Sequence, residues 1–272
     1  MLELRNLRVS FPGPRGPVEV VRGVSFDLGR ERLGIVGESG SGKSLTGRAI
    51  LRLLRPPARV SVDRLAFDGQ DLMAMSDRQM RAIRGARISM VMQDPRYSLN
   101  PVMTVGDQIA EALRVHERLP RRAVRTRVAE MLDRVRIHDP ERVMRLYPHE
   151  VSGGMGQRVM IAMMLIPKPD ILIADEPTSA LDVSVQAQML DLIEEMIAEN
   201  GMGLILISHD LDLVARYCDR VLVMNRGEVV EELDARHLHA ARHPYTRGLL
   251  DAVPRMDETR QVLPVMDRGA GT

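Results

Sequence analysis

Hydrophobic and polar residues follow two different periods along this chain. Residues 2–10 alternate between apolar and polar positions, which predicts a strand with one buried face. Four short runs are instead almost continuously apolar, as expected of strands that are covered on both faces of a parallel sheet. These runs are residues 33–36, 88–92, 171–174 and 204–207. Helical spacing over residues 183–199, between the last two runs, predicts a β-α-β unit.

Shorter elements are predicted around these strands. They are two short strands within residues 18–28, a strand and turn over 60–72, a hairpin over 221–230 and a helix after about residue 235. Residues 105–147 have helical spacing and no strand signal, with Pro120 and Pro140 as helix boundaries. We therefore expect an α/β domain with an inserted helical lobe.

Composition and charge exclude several classes of protein. Lys and Arg total 38 against 37 Asp and Glu, so the net charge of +1 gives no electrostatic reason to expect nucleic acid as a partner. The single cysteine, Cys218, allows no internal disulfide, and we expect a buried or half-buried thiol. No apolar run approaches 18 residues, and residues 1–5 are strand-like, so we expect neither a membrane span nor a signal peptide.

One of only two lysines in the chain lies in a phosphate-binding motif. Residues 37–44 read Gly-Glu-Ser-Gly-Ser-Gly-Lys-Ser, the pattern of a loop that places backbone N–H groups around phosphate. A compact ammonium fits between phosphate oxygens where a forked guanidinium is too wide. We expect a helix to start at Lys43 or Ser44, with Ser44 ligating Mg²⁺. The candidate nucleotide-binding residues are Gly37, Ser39, Gly40, Gly42, Lys43 and Ser44.

Polar side chains follow three of the predicted buried strands. Asp175 and Glu176 come directly after the run 171–174, and His209 follows the run 204–207. Because ligands bind at the carboxyl ends of strands in an open α/β sheet, we predict that Asp175 holds Mg²⁺ and that Glu176 deprotonates the attacking water. His209 would contact the γ-phosphate. Gln93, at the end of its own strand, would reach Mg²⁺ or the water.

A second glycine-rich segment opens a predicted helix. Ser152 is a suitable N-cap, and Gly153 and Gly154 would let a phosphate approach the helix end. Three interpretations stay open at this point. The two segments hold one nucleotide, two copies meet across a dimer, or residues 151–158 are an ordinary helix start.

Together these motifs resemble those of an ATP-binding-cassette (ABC) ATPase subunit. Residues 37–44 resemble Walker A, Gln93 the Q-loop glutamine, residues 151–155 the signature, 171–175 Walker B, 179–182 the D-loop and His209 the switch histidine. The resemblance covers about residues 1–235. It implies that Phe11 stacks on adenine, although Phe26 is an alternative, that Asp182 lies near the nucleotide, and that the cofactors are ATP and Mg²⁺.

Further segments resemble the peptide and nickel importers of that family. These are residues 93–101, 147–150 and 243–247. Met155 and residues 218–221 resemble the D-type subunit, the first of that system's two ATPases. Two departures stand out. Gly156 replaces the usual Arg of the signature helix, and no cysteine follows Cys218, so we expect no iron–sulfur cluster.

The resemblance implies an architecture and a set of partners. The expected fold is a P-loop ABC ATPase core over residues 1–235 with an antiparallel β subdomain, a helical subdomain inserted at about 94–165, and a C-terminal extension over 236–272. The expected partners are a second, F-type ATPase, two inner-membrane permease subunits and, indirectly, an extracytoplasmic solute-binding protein. The expected location is the cytoplasmic face of the bacterial inner membrane.

Two other functions are compatible with a cassette. One is a soluble ABC ATPase of DNA repair, chromosome structure or translation, which the balanced charge and the lack of a coiled-coil insertion disfavour. The other is a regulatory cassette that binds nucleotide without hydrolysis, which Glu176 and His209 disfavour. The transported solute is left open among dipeptides, oligopeptides, nickel chelates and related small solutes.

Overall fold

A computed structural model describes residues 1–92, 99–177 and 183–252 of the chain. The strands are β1 (Leu2–Gly13), β2 (Gly16–Leu28), β3 (Arg32–Val36), β4 (Arg59–Ser61), β5 (Arg64–Phe67), β6 (Gln70–Asp71), β7 (Ile88–Val91), β8 (Ile171–Asp175), β9 (Gly203–Ser208), β10 (Arg220–Asn225) and β11 (Glu228–Asp234). The helices are α1 (Lys43–Ile50), α2 (Asp77–Ile83), α3 (Val105–Arg114), α4 (Arg121–Arg134), α5 (Pro140–Val143), α6 (Gly153–Leu165), α7 (Val183–Asn200), α8 (Leu211–Tyr217) and α9 (Pro244–Ala252), with short 3₁₀ turns at Pro148–Glu150 and Ala235–Ala240.

The chain divides into two compact units. The first unit contains residues 1–2, 28–31 and 66–205, and the second contains residues 3–27, 32–65 and the described residues from 206 onward. Within the described ranges, none of the helices combines the length and the apolar character that crossing a membrane requires.

In the first unit, a parallel strand pair lies beside a group of helices. β7 and β8 pair in parallel, with Ile88 opposite Ile171 and Val91 opposite Ala174. Every residue of β8 is buried, as its continuous apolar run predicts. Helix α3 packs against α4 and α6. The predicted helical lobe is therefore present as α3 to α6, and Pro140 occupies the first turn of α5 as expected.

The second unit contains the strand that leads into the phosphate-binding motif. β10 runs parallel to β3, with Val221 opposite Gly34, and pairs antiparallel with β11. Asp219 fixes the start of the β3–β10 pair, because its carboxylate accepts hydrogen bonds from the Arg32 backbone N–H at 2.9 Å and from Arg32 Nη2 at 3.1 Å. Burial alone would raise the pKa of Asp219, yet these Arg32 contacts hold it below its ordinary value.

Helix α8 packs directly onto β3. A Cβ atom placed on Gly34 would lie 2.0 Å from Val214 Cγ1 and 3.3 Å from Cys218 Sγ, so only glycine permits this approach. The strand before the phosphate-binding motif is thus held on one face by α8 and at its edge by β10.

Three differences separate the observed elements from those predicted. Residues 16–28 form one strand, β2, and not two short ones, because the chain continues through Gly23 with φ of +83°. Helix α2 was not predicted, although Ser76 and Gln79 form a capping box at its start. The segment after residue 235 is a 3₁₀ turn followed by α9. The predicted domain boundary at residue 235 stays a prediction.

The single cysteine gives a test of this packing. Cys218 is buried, and burial raises the pKa of its thiol to about 12. Only the thiolate is nucleophilic. Because the pKa is about 12, only about one molecule in 10⁴ carries the thiolate at pH 8. We expect a disulfide reagent to leave the folded chain unlabelled at pH 8 and to label one thiol per chain after unfolding. Labelling of the folded chain at the rate of a free thiol would contradict this packing.

Candidate functional site

Residues 37–42 form a loop between β3 and α1 that closes around the Lys43 ammonium. Lys43 Nζ donates to Gly37 O at 2.6 Å, to Glu38 O at 2.9 Å and to Ser41 Oγ at 3.4 Å. The side chain is only 5% exposed. A buried ammonium without such acceptors would be costly, so the loop carbonyls stabilise the charge in this position. Helix α1 begins at Lys43, as predicted.

The glycines of the loop are required by its backbone. Gly37, Gly40 and Gly42 have φ of +152°, +83° and +100°, which side chains disfavour. A Cβ on Gly37 would lie 2.1 Å from Met224 O, and one on Gly42 would lie 2.9 Å from Val20 O. The loop therefore fits against neighbouring backbone of the second unit.

The turn between β10 and β11 holds the far side of the loop. Gly227 N–H donates to Ser41 O at 3.1 Å, while Gly227 O accepts the Arg22 N–H at 2.7 Å. Ser39 and Gly40 are exposed, and Ser44 lies half-buried in the first turn of α1. The exposed loop and the positive end of α1 suit a bound phosphate, and Ser44 there offers a hydroxyl to a cation.

The predicted carboxylates lie at the end of β8 in the first unit. Asp175 is 1% exposed and ends the buried strand, and Glu176 follows it half-buried. Glu176 has φ of +46°, a left-handed conformation that costs a non-glycine residue roughly 1–2 kcal/mol. Seven other non-glycine residues of the described chain share this conformation, so it does not by itself single out Glu176.

Ser152 caps helix α6, as the sequence predicts. Its Oγ accepts the Met155 N–H at 3.3 Å. Ser152 and Gly153 are exposed, so the helix start is open to solvent. Gly156 is buried in the first turn, and a Cβ there would lie 3.8 Å from Leu99 Cδ1. The position that departs from the family pattern therefore faces the interior of the first unit.

His209 lies at the end of the buried strand β9 and is exposed, in the second unit with the phosphate loop. The following residue, Asp210, caps α8 by accepting the Leu213 N–H at 3.0 Å. Phe11 lies half-buried in β1, whereas Phe26 is a core residue with 4% exposure. Only Phe11 therefore keeps a face for a ligand. Gln93 and Asp182 lie outside the described residues.

Comparison with known proteins decides the family. Residues 21–179, more than half of the chain, match the family described as ABC transporter. The chain belongs to the ABC transporter family. The predicted family and α/β cassette fold are thereby confirmed. The chain is thus an ATP-binding cassette of that family.

Relatives of this cassette include named importer subunits. It is 51% identical over 260 residues to the dipeptide transport ATP-binding protein DppD of Bacillus subtilis (strain 168), covering 94% of this chain and 78% of that protein. It is 50% identical over 268 residues to the glutathione import ATP-binding protein GsiA of Pectobacterium atrosepticum, covering 96% of this chain and 43% of that protein. The resemblance to peptide importers is therefore confirmed.

A solved cassette has the same fold. The cassette MJ0796, in a dimeric post-hydrolysis state bound to ADP and Pi, aligns with a TM-score of 0.76 and 27% identity. The alignment covers 87% of this chain and 99% of that one.

Two glycine variants test the packing of the phosphate loop. Gly37→Ala and Gly40→Ala both place a side chain at positive φ, which costs roughly 1–2 kcal/mol. Only Gly37→Ala also meets a backbone atom, since no heavy atom of the described residues lies within 4 Å of a Cβ on Gly40. We expect urea denaturation without nucleotide to show the larger loss of stability for Gly37→Ala, by about 1–3 kcal/mol more. Equal losses would contradict the contact with Met224.

Proposed function

We propose that this chain hydrolyses ATP to power the uptake of peptides or related small solutes through a separate inner-membrane permease. The observation that carries the proposal is the buried Lys43 ammonium, held by loop carbonyls beside an exposed, glycine-built loop. Two relatives, a dipeptide transport and a glutathione import ATP-binding protein, support the solute class.

The donor set suits ATP and Mg²⁺. Lys43 and the N–H groups of the loop would bind the phosphates, and Ser44, Asp175 and Gln93 would supply oxygen ligands to Mg²⁺. The bound cation would neutralise charge that develops on the phosphate oxygens. Lys43 would keep its contacts with the Gly37 and Glu38 carbonyls and exchange its longest contact, to Ser41 Oγ at 3.4 Å, for a charged phosphate oxygen.

Glu176 is the proposed general base for the attacking water. A half-buried carboxylate directly after the Mg²⁺ ligand Asp175 would accept the proton of a water in line with the γ-phosphate. His209, exposed at the end of β9, would donate to the γ-phosphate and orient Glu176. Asp182 and Phe11 would complete the site, the latter by stacking on adenine.

The open start of α6 supports a two-cassette arrangement. Gly153 and Gly154 do not have positive φ, and no heavy atom of the described residues lies within 4 Å of a Cβ on either. Neither conformation nor described packing explains glycine there. Close approach of a group from outside would explain it, and we propose that Ser152 and Gly154 bind the ATP held by a partner cassette.

The proposed partner is a distinct, F-type cassette. The pair would lie at the cytoplasmic face of the inner membrane on two permease subunits, with a solute-binding protein outside. ATP would favour the closed pair and thereby shift the permease between its states.

The catalytic assignment is tested with Glu176→Gln in the assembled complex. The variant keeps the shape of the side chain but removes its basicity, which typically costs about 10²–10⁴-fold in rate. We expect unhydrolysed ATP to remain at the phosphate loop of this chain after prolonged incubation. Glu130→Gln, on the exposed face of α4, is the matched control and should hydrolyse normally. If the Glu176→Gln variant formed ADP at the phosphate loop of this chain at the wild-type rate, Glu176 would not be the base.

The assembly is tested by isolating the native complex through a tag on this chain. We expect one different cassette for each copy of this chain, together with permease subunits, because the signature Met155 is of the D type. Subunit counting by native mass spectrometry gives the answer. A complex with two copies of this chain and no second cassette would contradict the heterodimer while leaving ATP hydrolysis untouched.

A further inference from the structure

One peptide group of the phosphate loop has a specific partner on each side. The Gly37 carbonyl accepts Lys43 Nζ at 2.6 Å, and the Glu38 N–H of the same peptide donates to the Tyr245 hydroxyl oxygen at 3.0 Å. The carbonyl and N–H of a trans peptide point in opposite directions, so the two contacts hold the group from both sides. Tyr245 belongs to α9, 207 positions away in sequence.

The start of α9 is anchored to the second unit. The Glu231 carboxylate of β11 accepts the N–H groups of Arg242 at 2.6 Å and His243 at 3.2 Å. His243 Nδ1 then accepts the Tyr245 N–H at 3.2 Å, and the neighbouring Thr246 is fully buried. These contacts fix the backbone from which the Tyr245 ring reaches the loop.

The two contacts on the peptide strengthen each other. The Lys43 ammonium withdraws electron density through the Gly37 carbonyl, and this polarisation makes the Glu38 N–H a better donor. Burial raises the pKa of the Tyr245 phenol, and its hydroxyl oxygen is the acceptor of the Glu38 N–H. Loss of the hydroxyl would leave a half-buried N–H without this acceptor, and the peptide would be freer to rotate.

We propose that Tyr245 is a positioning residue for nucleotide binding, holding the 37–38 peptide so that Lys43 stays aligned toward the β- and γ-phosphates. Residues beyond the predicted cassette boundary at 235 then contribute directly to ATP affinity. The inference rests on the proposed function for the role of Lys43. It assigns to the C-terminal extension a task in the cassette's own nucleotide site.

The test is Tyr245→Phe in the full chain, which keeps the ring and removes one oxygen. Loss of a hydrogen bond that leaves a peptide donor unpaired should raise the Kd for MgATP about five- to tenfold. Isothermal titration with MgATP measures this change. Tyr147→Phe removes the hydroxyl of an exposed tyrosine in the first unit and is the control, with an expected change below about twofold.

A site-resolved measurement separates positioning from general loosening of the fold. In Tyr245→Phe, without nucleotide, amide hydrogen exchange should accelerate at Glu38 and stay unchanged at Gly227, whose N–H donates to Ser41 O in the same loop. In the assembled complex, the KM for ATP should rise while kcat stays the same. A merely structural role would accelerate exchange at both amides.

Each outcome bears on one claim. An unchanged Kd, unchanged Glu38 exchange, or equal acceleration at Glu38 and Gly227 would overturn the role of Tyr245. Lys43→Ala serves as the reference for the site itself and should abolish tight MgATP binding. Normal binding by Lys43→Ala would overturn the proposed nucleotide site, whereas normal binding by Tyr245→Phe alone would overturn only this inference.

Discussion

The burial of one ammonium group dictates the construction of the second unit around it. Lys43 is nearly inaccessible, and its charge is stabilised by the carbonyls of Gly37 and Glu38. Carbonyls can turn inward only where the backbone curls, which requires glycine at positive φ. The curled loop in turn needs close neighbours, and it finds them in β2 and in the turn between β10 and β11. The Lys43 charge thus connects the conformation of the phosphate loop with the position of β2 and of the turn between β10 and β11.

The two glycine-rich segments are built on opposite principles. In the phosphate loop, glycine is required by contacts within the chain, since a side chain on Gly37 or Gly42 would overlap a backbone carbonyl of the same unit. At the start of α6, Gly153 and Gly154 meet no such described neighbour. Contacts within the chain therefore account for the glycines of the first segment. The glycines of the second segment suit a contact with a group from outside the chain.

Apolar runs and the spacing of the phosphate loop predict their elements correctly, whereas two local signals mislead and contacts between distant positions leave no local pattern. The start of α1 at Lys43 and the burial of β8 follow from spacing and apolar runs. The single long β2 was missed because Gly23 resembles a strand break, and α2 was missed because its capping box lies in a polar stretch. The contact between Glu38 and Tyr245 joins distant positions, so no local pattern encodes it.

The scarcity of lysine gives the molecule an unusual chemical surface. Lys168 is exposed, whereas Lys43, the other lysine of the chain, is enclosed by its loop. Side-chain amine chemistry on the folded chain is therefore directed to Lys168, which lies outside the phosphate loop and three residues before the segment 171–175. A dye or cross-linker attached through Lys168 would label this cassette without entering its phosphate loop. The rate of acylation at Lys43 would measure how often that loop opens.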